Sequence, residues 1–455
     1  MKLSVPHPHL RTFASLHHRN YRLYFFGQFV SQAGTWLQSG AQAWLILQVT
    51  HSAAAVGLMA FWQFGPYMML GLFGGAITDR FDRRKTLVIT QMALLGCSAS
   101  LATLALTNHV IIWELYLIAA IRGTVQVFDM PSRQAFVVQM VGREELPNAV
   151  ALNSSLFNAS RIVGPAIGGV LIATVGVGSC FVIDTISYVA VIIALLLMRP
   201  AELYPVVRSG KQVSLLRSFR EGMGYAWRTP AILMAMALIL VISTVCINFA
   251  ILLPVLAVQT LHAGPAIFGL VSAFFGLGAL IGALISASIA RPTWPVLLIS
   301  AAVFGLAMIV LAPQRSFVMV LALLVVTGIA FTLYTSNSNT LVQLATPAHL
   351  QGRVIGLYGY IFNSTSVPGA LLIGALSEIG GTQLAFLVAG ITALIMALIG
   401  MVVVRKAHIA SPTADMVHGP IQIESIAITI DPSRLISLDE SAPNATLDRV
   451  PAPMP

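Results

Sequence analysis

Long apolar runs alternate along the chain with short polar breaks that carry most of the charge. A helix needs about 20 predominantly apolar residues to cross the hydrocarbon core of a bilayer. Twelve runs meet that length: residues 24–47, 53–78, 86–106, 110–129, 149–175, 180–198, 231–255, 266–290, 295–311, 317–341, 354–376 and 384–404. The pattern predicts an all-α membrane protein of twelve transmembrane helices, because a spanning helix satisfies its backbone hydrogen bonds within its own segment. The longest internal polar stretch, 199–230, divides the runs six and six. The expected organisation is therefore an N-terminal segment 1–22, a six-helix half 23–198, a linker 199–230, a second six-helix half 231–404, and a tail 405–455.

Within the linker, residues 213–227 place apolar groups at helical spacing, which predicts an amphipathic helix lying on the inner membrane surface. The tail is rich in Pro, Ser, Ala and acidic residues, and 443–455 are expected to be disordered. Residues 421–430 partly alternate, as a strand would. Short sequence parallels link the two halves: 138–146 with 342–350, 157–160 with 362–365, and Gly164 and Gly169 with Gly369 and Gly374. They fit a duplicated six-span unit with a substrate path between its halves.

Composition sharpens this picture. Of 455 residues, 57% are hydrophobic and only 9% charged, with a mean hydropathy of +0.86. No soluble domain of this length reads so apolar. The net charge of +9 does not indicate nucleic acid, because the basic residues sit in short breaks between apolar runs. They cluster on alternate breaks: the N-terminal segment, the break around residues 79–85, Arg133 and Arg143, the linker, Arg291, Arg353, and Arg405 with Lys406. The other breaks hold Arg315 and little else, so both termini are expected in the cytoplasm. Residues 1–22 lack the short apolar core of a cleavable signal peptide. Cys97, Cys180 and Cys246 lie inside apolar runs as packing residues. No metal-type Cys/His spacing, phosphate-binding loop or nucleophile motif occurs, so no cofactor, metal or enzymatic activity is expected.

One stretch stands apart. Residues 71–78 end an apolar, glycine-rich run, and Asp79, Arg80, Asp82, Arg83, Arg84 and Lys85 follow before the next run begins. From Gly75 to Arg84 the segment resembles the loop 2–3 signature of the major facilitator superfamily, departing from it at Asp82, where the signature has Gly. An ordinary positive-inside loop would carry the same charges. Ser160, Arg161, Gly164, Pro165, Gly168 and Gly169 resemble the superfamily's antiporter signature, with Ser160 in place of its first Gly. A glycine-rich packing seam would read the same way, since small residues let helices approach closely. Residues 16–38 together with 129–136 are similar to the bacterial transmembrane secretion effector branch, which includes siderophore and macrolide exporters. That resemblance covers about 16–405.

The resemblance implies a secondary transporter of the bacterial inner membrane. It would export a small organic molecule in exchange for protons, as a monomer surrounded by membrane lipid. An importer or uniporter, or a sensor that has kept the fold and lost transport, are the alternatives. By the same resemblance, Gly75, Asp79, Arg80, Arg83, Arg84 and Asp129 would form an inner gate. Asp129 would pair with Arg83 or Arg84, and Asp79 would face the start of the eleventh span near Gly352. Arg122, mid-span, would assist proton binding at a nearby carboxylate; a structural ion pair is the alternative. Asp129, Arg161 and Asp184 are further charges at membrane depth and candidates for proton or substrate contact, with a purely structural role left open. Gln28, Gln32 and Trp36 share one face of the first span and are candidate cavity residues, with Asn158, Asn248 and Asn363 from later spans.

Overall fold

A computed structural model describes residues 11–78, 81–142, 144–205, 215–289, 292–347 and 350–407. The tail beyond 407, including 421–430 and 443–455, lies outside the described residues, as do Asp79, Arg80, Arg143 and Arg291. The described residues form helices and no strand. The first set comprises α1 (Arg19–Thr50), α2 (Ala53–Thr78), α3 (Arg83–Leu106), α4 (Ile112–Val141), α5 (Leu146–Thr174) and α6 (Val177–Leu196). A linker helix, α7 (Leu215–Arg228), precedes the second set. That set comprises α8 (Pro230–Cys246), α9 (Phe249–Val255), α10 (Pro265–Ser288), α11 (Trp294–Leu311), α12 (Phe317–Leu344), α13 (Gln351–Ser364) and α14 (Ser366–Lys406).

Nine helical segments among the described residues are long and apolar enough to cross a membrane. The long helices α1 and α4 have the length but are diluted by polar and charged residues. The run Gln351–Lys406 is 56 residues, more than twice a span. It divides at Gly380 and Gly381, where α14 bends sharply; Gly381 has a φ of 66°, a conformation that side chains other than glycine's resist.

Two expected spans differ from single straight helices. The seventh, 231–255, breaks at Ile247 and Asn248 between α8 and α9 and continues into a π-turn, Leu256–Thr260. The eleventh, 354–376, is interrupted at Thr365 between α13 and α14. The linker helix begins at Leu215 and packs on α13 and α8. Glu221 there is paired with Arg353, and Phe219 meets Tyr360 edge-on with ring centroids 6.3 Å apart.

The same pairings recur in both sets. α2 packs on α4 as α10 packs on α12, and α3 packs on α4 and α6 as α11 packs on α12 and α14. The sets join through α5 against α10 and α2 against α14. Both junctions are made by glycines. A Cβ on Gly169 would strike the Gly269 backbone, and one on Gly57 would sit 2.6 Å from the Ala370 carbonyl and 3.2 Å from Gly374 Cα. In lipid no hydrophobic effect drives helices together, so such close backbone contact supplies the dispersion energy that holds them. Gly352, Gly356 and Gly359 on α13 instead face open space.

Gly169→Val should therefore force α5 from α10 and cost about 1–3 kcal/mol, the usual price of overpacking. A thermal-unfolding midpoint well below wild type in purified protein would show it, whereas Gly356→Val should leave the midpoint unchanged. Equal effects at the two positions would contradict the assignment of Gly169 to the seam.

Candidate functional site

Two buried charge networks lie along α4, and a third charge lies where the two sets meet. Arg122, in the middle of α4, is 1% exposed, and Asp184, on α6, is fully buried. Arg122 Nη1 lies 3.5 Å from Asp184 Oδ2, an ion pair longer than a direct hydrogen bond. Arg122 Nη2 donates to the Tyr188 hydroxyl at 3.3 Å, and Tyr188 bonds Thr35 of α1 at 3.1 Å. Ser98 of α3 donates to Asp184 at 2.7 Å. Arg122 Nε and Nη1 have no hydrogen-bond partner among the described residues. Four helices thus converge on one loosely coupled acid–base pair. Gly34 of α1 makes this convergence possible: a Cβ there would lie 2.5 Å from Ser187 Oγ and 2.9 Å from Asp184 Oδ1.

The second network is centred on Asp129, two helical turns along α4 and 4% exposed. Its carboxylate accepts from Thr90 and Gln91 of α3, each at 2.7 Å. Its ionic partner is Arg133, one turn further along the same helix, and Arg133 also donates to Gln28. The expected partners are engaged elsewhere. Arg83 donates to the Ala135 carbonyl of α4 at 3.0 Å, and Arg84 to the Leu195 and Leu196 carbonyls of α6 at 2.8 and 3.0 Å. Both arginines therefore tie the start of α3 to its neighbours, Arg83 to the body of α4 and Arg84 to the end of α6. Cations suit the last carbonyls of a helix, which carry the negative end of its dipole. Gly75 lies in the last turns of α2. Asp82 occupies the position where the signature has Gly, and the reason is local. It is the N-cap of α3, with ordinary extended dihedrals and a side chain accepting from Lys85 N at 2.8 Å.

The third charge is Arg161 of α5. Its Cζ lies 5.7 Å from the ring centre of Trp36, 5.2 Å from Phe275 and 5.1 Å from Phe331. These rings come from α1, α10 and α12, so the residue sits at the junction of both sets. The antiporter-like residues surround it on α5. Gly164 packs against Ala33, Trp36 and Leu37 of α1, Gly168 against Leu37, and the Pro165 carbonyl and Gly169 against Gly269 of α10.

The other cavity candidates separate into two groups. Gln28 is buried inside the first set with Arg133, and Asn248 is buried at the α8–α9 break, donating to the Thr244 carbonyl. Gln32, Trp36, Asn158 and Asn363 are partly exposed, and both asparagines donate back to their own helices, to Ser154 and Gly359. Sequence reasoning missed Arg133, Tyr188 and Ser98 as site residues. Arg133 was legible from its four-residue spacing to Asp129, which places the two on one helix face. Tyr188 follows Asp184 by the same spacing. Ser98 carried no signal, because serine is common in membrane helices. The three cysteines are buried and unpaired, and no metal-ligating cluster occurs among the described residues.

This arrangement, a two-set helical bundle with buried charges in the first set and glycine seams between the sets, is that of a multi-pass membrane transporter of the major facilitator type. A nucleoside transporter, NupG, superposes with a TM-score of 0.68 at 12% identity, covering 84% of this chain and 98% of that one. A D-xylose-proton symporter does so at 0.67 and 13% identity, covering 84% and 96%. These likenesses establish the fold. Residues 10–434 match the transmembrane secretion effector family, and the chain belongs to it. It is similar to the multidrug efflux pump Tap of Mycolicibacterium fortuitum, 26% identical over 84% of this chain and 95% of that protein. It is 24% identical to macrolide efflux protein A of Streptococcus pyogenes, over 79% and 90%. It is 28% identical to the enterobactin exporter EntS of Citrobacter koseri, over 79% and 85%.

Breaking a buried ion pair by removing one partner costs about 3–5 kcal/mol, while replacing both with apolar groups is often neutral. Asp184→Leu and Arg122→Met should each lower the unfolding midpoint sharply, and the double variant should recover most of the loss. A double variant no better than the worse single would show that the two side chains are not energetically coupled.

Proposed function

We propose that the protein is an exporter of small organic molecules across the bacterial inner membrane, driven by inward movement of protons. The buried Arg122–Asp184 pair carries this reading. A charge at membrane depth is costly and marks a pathway or relay by default. A pair held at 3.5 Å, with two guanidinium nitrogens unbonded, is poised to open when the carboxylate takes a proton. Protonation of Asp184 would end its ion pair with Arg122 and leave the Tyr188 hydroxyl as the guanidinium's remaining partner on α6. Asp129 and Arg133 would couple that change to the end of the bundle that holds Arg83 and Arg84. With both termini in the cytoplasm, the seam at Gly169 and Gly57 lies toward the outside, and the open face of α13 lies toward the inside. The described conformation is then inward-open, ready to take substrate from the cell. Tap, macrolide efflux protein A and EntS are named for drug, macrolide and siderophore export, and this chain is assigned the same direction of transport.

Cells producing the wild type should accumulate less of one compound among a panel of macrolides, dyes and siderophores. Asp184→Asn, which keeps the shape and removes the proton site, should restore accumulation to that of cells lacking the protein. Normal efflux by Asp184→Asn at equal membrane abundance would remove Asp184 from coupling.

A further inference from the structure

Arg161 pairs with no carboxylate among the described residues, and Glu114, in the first turn of α4, is likewise without an ion-pair partner there. Asp129 belongs to Arg133 and Asp184 to Arg122. Glu378, the single acidic residue in residues 231–404, accepts from Ser52 Oγ at 3.0 Å and Ala54 N at 3.2 Å, near the start of α2. Arg161 meets only ring faces among the described residues, from Trp36, Phe275 and Phe331. Cation–π contact inside 6 Å is worth about 0.5–2 kcal/mol, well short of what a permanent charge at membrane depth demands. The side chain is partly exposed, on the face of α5 that carries the exposed Ser154 and partly exposed Asn158 toward its N-terminal end. Beside it the Trp36 Nε1 hydrogen is buried without a partner among the described residues. A guanidinium lacking an anion, an indole donor lacking an acceptor and three aromatic faces together describe a receptor for a flat anion.

We propose that Arg161, ringed by Trp36, Phe275 and Phe331, is the anion-recognising subsite between the two helix sets, and that the substrate is an organic anion with an aromatic or other flat apolar body. The identity of this ligand as the exported molecule rests on the exporter reading. The anionic group bonds the guanidinium, with Trp36 Nε1 as a second donor, and the body lies against the rings. The same arrangement discriminates against organic cations, which would meet an unneutralised guanidinium.

The test is equilibrium dialysis of the full-length protein in lipid nanodiscs with three radiolabelled probes of matched shape: 1-naphthoate, 1-naphthamide and 1-naphthylmethylammonium. Naphthoate should bind saturably and at least about ten-fold more tightly than the other two, in keeping with a charge-assisted hydrogen bond. Arg161→Gln should bring naphthoate binding down to the level of naphthamide and so erase that preference, and Arg161→Lys should retain part of it. Unfolding midpoints of both variants guard against misfolding, and the wild-type comparison stands without either variant. Equal binding of the three probes, no saturable naphthoate binding, or a preference untouched by Arg161→Gln would each overturn the proposal. Charge preference in a protein that exports nothing in cells would sink the exporter reading and leave the subsite standing. Export without charge preference would sink the subsite alone.

Discussion

A charge in hydrocarbon must be matched by another charge, by hydrogen bonds or by water, and this requirement organises the first helix set. A single ionised side chain at the centre of a spanning helix costs about 3 kcal/mol on insertion scales. α4 carries Arg122 and Asp129 and reaches partners on every side: Asp184 and Tyr188 from α6, Thr90 and Gln91 from α3, Gln28 from α1. These contacts tie α4 to α1, α3 and α6, while α2, packed closest on it, meets it at Gly74 and Gly123. Buried ion pairs contribute little net stability compared with apolar packing. Their presence in so apolar a chain is better explained by what protonation can do to them than by what they add to the fold.

The second set contrasts with the first. Residues 231–404 contain no Asp or Lys, and its interior is aromatic: Phe249 lies 4.1 Å from Phe275 between ring centres, with Phe304 and Phe331 near 6 Å. One half thus holds the titratable machinery and the other a stiff apolar wall. Glycine seams at Gly169–Gly269 and Gly57–Gly374 join them backbone to backbone, and Trp44 of α1 stacks on Phe268 of α10 beside the first seam. Arg161 stands between the two regimes, charged on the first set and walled largely by the second.

The membrane class and the identity of the charged residues at depth were legible in the sequence because hydropathy is a local property; helix ends were less so, since α4 runs on to Val141, twelve residues past the expected end of its span. The resemblance to the transmembrane secretion effectors rested on residues 16–38 and 129–136 and agrees with the family match over 10–434. Partner choice was less legible. Asp129 was expected to reach Arg83 or Arg84 across a loop, but Arg133 lies on its own helix, Arg83 donates to the Ala135 carbonyl of α4 and Arg84 caps the end of α6. Local geometry won over the longer reach. The break at Thr365 was announced by Pro368, which cannot donate to the Ser364 carbonyl; the break at Asn248 had no such signal, and there the side chain takes over a freed backbone group, donating to the Thr244 carbonyl. The aromatic ring around Arg161 draws on three helices other than its own and could not be assembled without their packing.

The central claim is that export is coupled to protons through the Arg122–Asp184 pair. Proton flux in inverted membrane vesicles, energised to an acid interior, tests it most directly. Addition of a compound that the cells expel should dissipate the pH gradient in wild-type vesicles and leave it intact in Asp184→Asn vesicles. Compound uptake by wild-type vesicles with no proton movement, or undiminished dissipation in the variant, would contradict it.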